Sequence, residues 1–177
     1  MRSSVLLLAG GLMAVTAYAA NPDKAPTLHE LMKNVVAVQT QVIWDVGNQA
    51  QDAEGNPDAS KLKTTDWGRI VVAGGKVKQA ALTLAQSEHV VAAAPGQKIS
   101  GEGTPGSFGA KQVQGAIDAN PKVFRAFAQA LAVSMDQIVS TAQKKDAAKL
   151  FDLSGALDQV CEECHAPFWY PEQKATR

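Results

Sequence analysis

The sequence has little of several features that mark common protein classes. Cysteine occurs only twice, and aromatic residues make up 6% of the 177-residue chain. No stretch alternates polar and apolar residues with a period of two, so strands are not expected. Basic residues are scattered and the formal net charge is zero, which argues against a nucleic-acid partner. Because aromatics are few and alanine is abundant, the side chains predict a thin core, which a bound prosthetic group would thicken.

Long apolar runs are also scarce, and the one at the N-terminus is too short to span a membrane. The stretch MRSSVLLLAGGLMAVTAYAA has a basic start, an apolar centre and small residues near its end. This layout predicts a secretory signal peptide over residues 1–19 that is cleaved after Ala19, with an uncleaved anchor as the alternative. No cysteine stands there to carry a lipid. We therefore expect an exported, periplasmic protein without stable membrane insertion, in which residues 20–177 form a single domain.

Helical periodicity dominates the rest of the chain and predicts an all-α fold. A capping box of Thr27 and Glu30 opens the first helix, and Pro121 suits the first position of a later one. The first predicted helix runs from Thr27 to near Gly47–Gln51, and the second starts at Thr64 or Thr65. A short helix is predicted at Ala110 to Ala119 and a longer one from Asn120. The last begins near Asp146 and is ended by Pro167. Four of these are principal helices, which predicts a four-helix bundle. The Gly/Pro-rich segment 95–109 is predicted to be a long loop between the second and third principal helices.

The two cysteines lie in the stretch CEECH, with His165 directly after Cys164. On a helix, Cys161 and Cys164 are one turn apart on the same face and His165 falls between them. The two intervening glutamates are expected to point into solvent. Two thiols and an imidazole converging in this way match the C-x-x-C-H signature of covalent haem c attachment, with His165 bound to the iron.

Other uses of the cysteine pair remain open at this point. A structural zinc site needs four ligands, so His29 or His89 would have to join the motif. A thiol-redox pair needs a helix N-terminus and a βαβ setting, and this pair, at the C-terminal end of an all-helical chain, has neither. A plain disulfide is also compatible with an exported protein.

A C-x-x-C-H motif on the last of four helices resembles the class II c-type cytochromes, the cytochrome c-prime group and its low-spin relatives. Class I cytochromes do not fit, because in them the motif comes early and a methionine ligand follows it, whereas no methionine follows His165 here. The resemblance covers the architecture of the mature chain, but it is specific in detail only at Cys161, Cys164 and His165. The segment APFWYPEQ departs from the family pattern, and Trp169 is a candidate to cover a haem edge.

The resemblance implies that the first helix closes the other face of the haem. It places Met32 at that position, as a thioether ligand of the iron or as ordinary core packing. His29, one turn earlier, is the rival ligand. Met135 is expected in the core. Candidates for lining the pocket are Trp44, Trp67, Phe124 and Phe127, and candidates for contacting the haem propionates are Arg69 and Arg125, although buried aromatics and solvated arginines need no cofactor.

The function implied is that of a monohaem electron carrier and not of an enzyme, since no catalytic carboxylate pair or Ser/His/Asp set stands out. Its partners would be other redox proteins. A homodimer is compatible with the resemblance, because class II cytochromes often dimerise. The alternative function is a five-coordinate haem protein that binds or senses nitric oxide or carbon monoxide, if Met32 packs beside the iron without bonding to it.

Overall fold

The computed structural model describes residues 25–171, and within them the chain is all-helical. The predicted signal peptide lies outside the described residues. We number five helices: α1, made of the consecutive segments Leu28–Leu31, Met32–Val36 and Ala37–Gln49, α2 (Thr64–Gln86), α3 (Ala110–Ala119), α4 (Pro121–Lys144) and α5 (Ala147–Phe168). The middle segment of α1 is a π-helical turn. None of the described helices is long and apolar enough to cross a membrane.

The helix boundaries follow from local capping, as the sequence predicts. The Thr27 hydroxyl accepts from the Glu30 N–H at 3.2 Å, and the Glu30 carboxylate accepts from the Thr27 N–H at 2.8 Å. Helix α4 has Pro121 in its first turn, where a missing N–H costs nothing. The carboxylate of Asp146 accepts from the Lys149 N–H at 3.0 Å and opens α5. These caps satisfy backbone donors that a helix start leaves unpaired.

Helix α5 does not end at Pro167, as the sequence predicted, but one residue later, at Phe168. A proline in the last turn removes one backbone hydrogen bond, to the carbonyl four residues back. Tertiary packing holds the turn, because the buried Phe168 ring contacts the Phe124 ring edge-to-face at 5.3 Å. The same contact places the end of α5 beside the beginning of α4, so the two helices are antiparallel.

Helices α1 and α2 are also antiparallel, because the start of α1 is tied to the chain just after α2. The N–H of Leu28 donates to the Val91 carbonyl at 2.8 Å, and that of His29 donates to the Ala92 carbonyl at 2.9 Å. The Gln114 side chain of α3 bonds the backbone of this same segment, at Ala92. The short helix α3 therefore lies at this end of the molecule.

Helices α2 and α4 pack most closely, at a glycine. A Cβ built on Gly74 would lie 2.7 Å from Val139 Cγ2, so the two backbones approach nearer than side chains would allow. One turn on, the Lys78 ammonium meets the Asp136 carboxylate at 2.6 Å. Residues 74 and 78 thus face residues 139 and 136 in reverse order, and α2 and α4 are antiparallel as well.

The last turns of α1 contact the first half of α5. The Trp44 indole N–H donates to the Ser154 carbonyl at 3.0 Å, and a Cβ built on Gly47 would lie 2.8 Å from Ser154 Oγ. Met135 is fully buried in the shared core, as predicted. The beginning of α1, the end of α2, the beginning of α4 and the end of α5 therefore meet at one end of the molecule, which we call the motif end.

The segment 95–109 contains no helix, in agreement with the predicted loop. Four of its glycines adopt positive φ, among them Gly101 at 73° and Gly103 at 91°. Residues with a side chain rarely take this conformation, so the glycines let the chain reverse direction repeatedly within a short distance. The loop is thereby folded compactly against the motif end.

Candidate functional site

The C-x-x-C-H residues lie on the last two turns of α5, at the motif end. Cys161, Cys164 and His165 are all partly buried, and the cysteines are free thiols. As neighbours one turn apart on a helix, the two thiols share a face. The helix continues unbroken through the motif, so the three side chains have the relative placement that the sequence predicts.

The environment of the two thiols opposes their ionisation. Burial raises the pKa of Cys161 to about 11, with Asp158 and Glu162 adding to the effect. Burial likewise raises the pKa of Cys164 to about 12, with a smaller contribution from the neighbouring thiol. Both residues also lie near the C-terminal end of α5, where the helix dipole disfavours negative charge. These thiols lack the lowered pKa of a thiol-redox pair.

His165 is held in a setting that favours the neutral imidazole. Burial lowers its pKa below the usual 6.5, although the carboxylates of Glu162 and Asp158 act in the opposite direction. A neutral imidazole keeps a nitrogen lone pair available, which is the form that binds metal ions.

Aromatic side chains that follow the motif pack around His165. The Trp169 ring meets the imidazole edge-to-face at 4.9 Å, and the Tyr170 ring lies 6.0 Å from it. The phenol of Tyr170 also hydrogen-bonds Glu162. Of the two glutamates inside the motif, Glu163 is exposed as expected, but the expectation was wrong for the partly buried Glu162. The chain turns back after Pro167 and brings a phenol to that carboxylate, which helix periodicity cannot predict.

Met32 lies at the same end of the molecule as the motif. It is partly buried, packs against the core and is the first residue of the π-helical turn. Gly47 of α1 contacts Ser154 of α5, and both Met32 and His165 lie from there toward the motif end. At a rise of about 1.5 Å per residue, Met32 is ~22 Å from this contact along α1, and His165 is ~16 Å from it along α5. The two residues are thus about one turn apart along the helix axes.

The other candidate ligands differ in their positions. His29 is partly buried and lies one turn nearer the start of α1 than Met32, at the outer edge of the motif end. His89 is exposed beyond the end of α2. Of the pocket candidates, Phe127 contacts Phe168 at 6.4 Å and belongs to the motif end.

Two of the remaining candidates lie away from the motif. Trp67 is buried in the first turn of α2, at the opposite end of the molecule. Arg69 pairs there with Asp66 at 3.5 Å, so it is remote from the motif. By contrast, Arg125 is partly buried in the first turns of α4, at the motif end.

The donor set at the motif fits a covalently attached haem. It offers two neutral thiols for thioether bonds and one neutral imidazole for the iron, all on one side. Between residues 25 and 171, no three His, Cys, Asp or Glu side chains are grouped so as to hold a metal ion by themselves. Comparison of the chain with protein-family models, with curated proteins and with solved structures finds no match in any of the three.

Proposed function

We propose that the protein is an exported monohaem c-type cytochrome that carries single electrons in the periplasm. The observation that carries the proposal is the placement of C-x-x-C-H on the final turns of α5, at the end where α1 begins. We further propose that α1, α2, α4 and α5 form a four-helix bundle of the class II type. Its support is the ring of antiparallel contacts that links these four helices in order.

Each motif residue has a distinct part in the proposal. Cys161 and Cys164 would form the thioether bonds, and His165 would hold the iron through its imidazole. A bound haem would supply a centre that gains and loses one electron. The raised pKa values favour the protonated thiols, which react more slowly with each other and with oxidants than thiolates do.

Met32 is the residue that we propose on the opposite side of the haem. Its support is its place at the motif end, its partial burial and its position in a π-helical turn, a distortion that is frequent at functional sites. A thioether ligand opposite a histidine raises the reduction potential, as electron-carrier cytochromes require. With a near-neutral surface, the chain would approach its redox partners with little electrostatic steering.

Covalent attachment is tested by expressing the full chain together with a cytochrome c maturation system. We expect haem staining on a denaturing gel and an intact mass that is larger by one haem. The variant with Cys161→Ala and Cys164→Ala should lose both, whereas Ser154→Ala, elsewhere on α5, should retain them. A chain that matures without covalent haem would refute the proposal and favour a disulfide or a metal site.

The sixth position is tested by optical spectroscopy of the wild type and two variants. Met32→Leu keeps the volume but removes the sulfur, so it should abolish the thioether-to-iron charge-transfer band and give a high-spin spectrum. His29→Ala should leave both features unchanged. If the wild type is already high-spin and shifts with carbon monoxide, the gas-binding alternative is correct. An unchanged low-spin spectrum in Met32→Leu would reject Met32 and make His29 the ligand.

A further inference from the structure

Trp169 joins the Gly/Pro-rich loop to the end of α5. Its indole N–H donates to the Ser100 carbonyl at 3.0 Å, and its own carbonyl accepts from the Phe108 N–H at 2.7 Å. A Cβ built on Gly101 would be 3.9 Å from the indole ring, so the loop backbone runs directly over it. Both ends of segment 100–108 are therefore fastened by one residue.

The same residue contacts His165 in two ways. The Trp169 ring stands edge-to-face against the imidazole, at 84° and 4.9 Å between centroids. The Trp169 backbone N–H donates to the His165 carbonyl at 2.7 Å. Trp169 thus lies between the loop on one side and the candidate iron ligand on the other.

We propose that Trp169 is a positioning residue that fastens segment 100–108 as a cover over His165. The edge-to-face contact restricts rotation of the imidazole, since an aromatic pair prefers a limited set of orientations. The indole, held in place by the loop, covers one side of the same ring and keeps water away from it. The role assigned to His165 depends on the proposed haem function, but the fastening itself is a property of the chain alone.

The fastening is tested on the full-length, haem-free chain by amide hydrogen exchange with mass spectrometry. Trp169→Phe removes the indole donor and keeps an aromatic ring, while Trp169→Ala removes both. Trp44→Phe is the matched control, because it deletes an indole-to-carbonyl hydrogen bond of the same 3.0 Å length to Ser154. We expect exchange within 100–108 to rise roughly fivefold in Trp169→Phe, the ratio for one net hydrogen bond, and further in Trp169→Ala.

Shielding of the imidazole is measured in the same samples by exchange of the His165 C2 hydrogen. This rate should increase in Trp169→Ala and stay at the wild-type value in Trp44→Phe. Unchanged exchange of the loop in Trp169→Ala would overturn the fastening. A faster loop with an unchanged His165 rate would overturn the positioning of His165.

In the haem-loaded chain, the reduction potential provides a readout that general destabilisation does not move. Water near the iron stabilises its more highly charged oxidised state, so Trp169→Ala should lower the midpoint potential. Trp169→Phe should recover most of the wild-type potential, and Trp44→Phe all of it. An unchanged potential in Trp169→Ala would overturn the positioning role. If no covalent haem forms, the proposed function fails, and the two exchange measurements still decide the fastening and the shielding.

Discussion

Two adjacent glycines in α2 provide a sharp test of how the helices pack. Both lie inside a continuous helix, where glycine is less favourable than alanine by about 1 kcal/mol. The environments differ: a Cβ on Gly74 would lie 2.7 Å from Val139 Cγ2, whereas a Cβ on Gly75 meets nothing within 4 Å. Gly75→Ala should therefore stabilise the fold, whereas Gly74→Ala should be neutral or destabilising.

The expected magnitudes follow from two opposing terms. Gly75→Ala gains only helix propensity and should stabilise the fold by about 1 kcal/mol. Gly74→Ala gains the same amount but must displace Val139, a β-branched side chain with little rotamer freedom on a helix. Overpacking of this kind costs about 1–3 kcal/mol. Because the propensity gain is common to both variants, the difference between them measures the packing term and should be about 1–3 kcal/mol in favour of Gly75→Ala.

Urea denaturation followed by circular dichroism measures both variants, compared in the same haem state. Adding Val139→Ala to Gly74→Ala should recover stability relative to the sum of the single changes, because it removes the atom in conflict. Equal stabilisation by Gly74→Ala and Gly75→Ala would show that α2 and α4 are not in close contact at Gly74. The antiparallel order of the helices, and with it the common end for Met32 and His165, would then need revision.

Thr27→Ala should cost about 1 kcal/mol in the same denaturation assay, since it removes the hydroxyl that caps the Glu30 N–H, and Thr27→Ser should restore most of the loss. In the haem-free chain at pH 8, alkylation of Cys161 should be roughly 100-fold slower than in urea, because burial raises its pKa from 9.0 to about 11, and Cys164 should react more slowly still. Equal rates in the folded and unfolded chains would contradict that burial. Acid should destabilise the haem-free fold as the pH falls through 6.5, because the unfolded chain takes up a proton at His165 more readily than the folded chain. His165→Asn should remove that part of the pH dependence, and an identical pH profile in the variant would argue against a lowered pKa.

Local signals account for the parts of the fold that the sequence predicts well. The Thr27 capping box, Pro121 and Asp146 act within one helical turn, so the helix starts that they predict agree with the structure. The end of α5 was harder to predict. Local rules place a stop at Pro167, but Phe168 packs against a ring that is distant in sequence.

The candidate site likewise has one part that local spacing predicts and another part that only helix packing creates. Spacing alone places Cys161, Cys164 and His165 on one helical face, and it identifies haem attachment as the chemistry to test. The position of Met32 near the motif was available only through resemblance. In the structure it depends on the antiparallel contacts of four helices. Spacing also could not show which of the aromatic candidates belong to the site, because Trp67 and Phe127 lie on equally regular apolar stripes at opposite ends of the molecule.

The sequence by itself determined what acts over a few residues: the helices, their caps, the Gly/Pro-rich loop and the C-x-x-C-H face. The tertiary structure alone decided what meets across long separations. It brought Ser100 and Phe108 to Trp169, and Tyr170 to Glu162. The physical reason is that helix periodicity and capping are set by neighbouring residues. The contacts of Ser100 and Phe108 with Trp169, which follows them by 69 and 61 residues, depend instead on how whole helices pack.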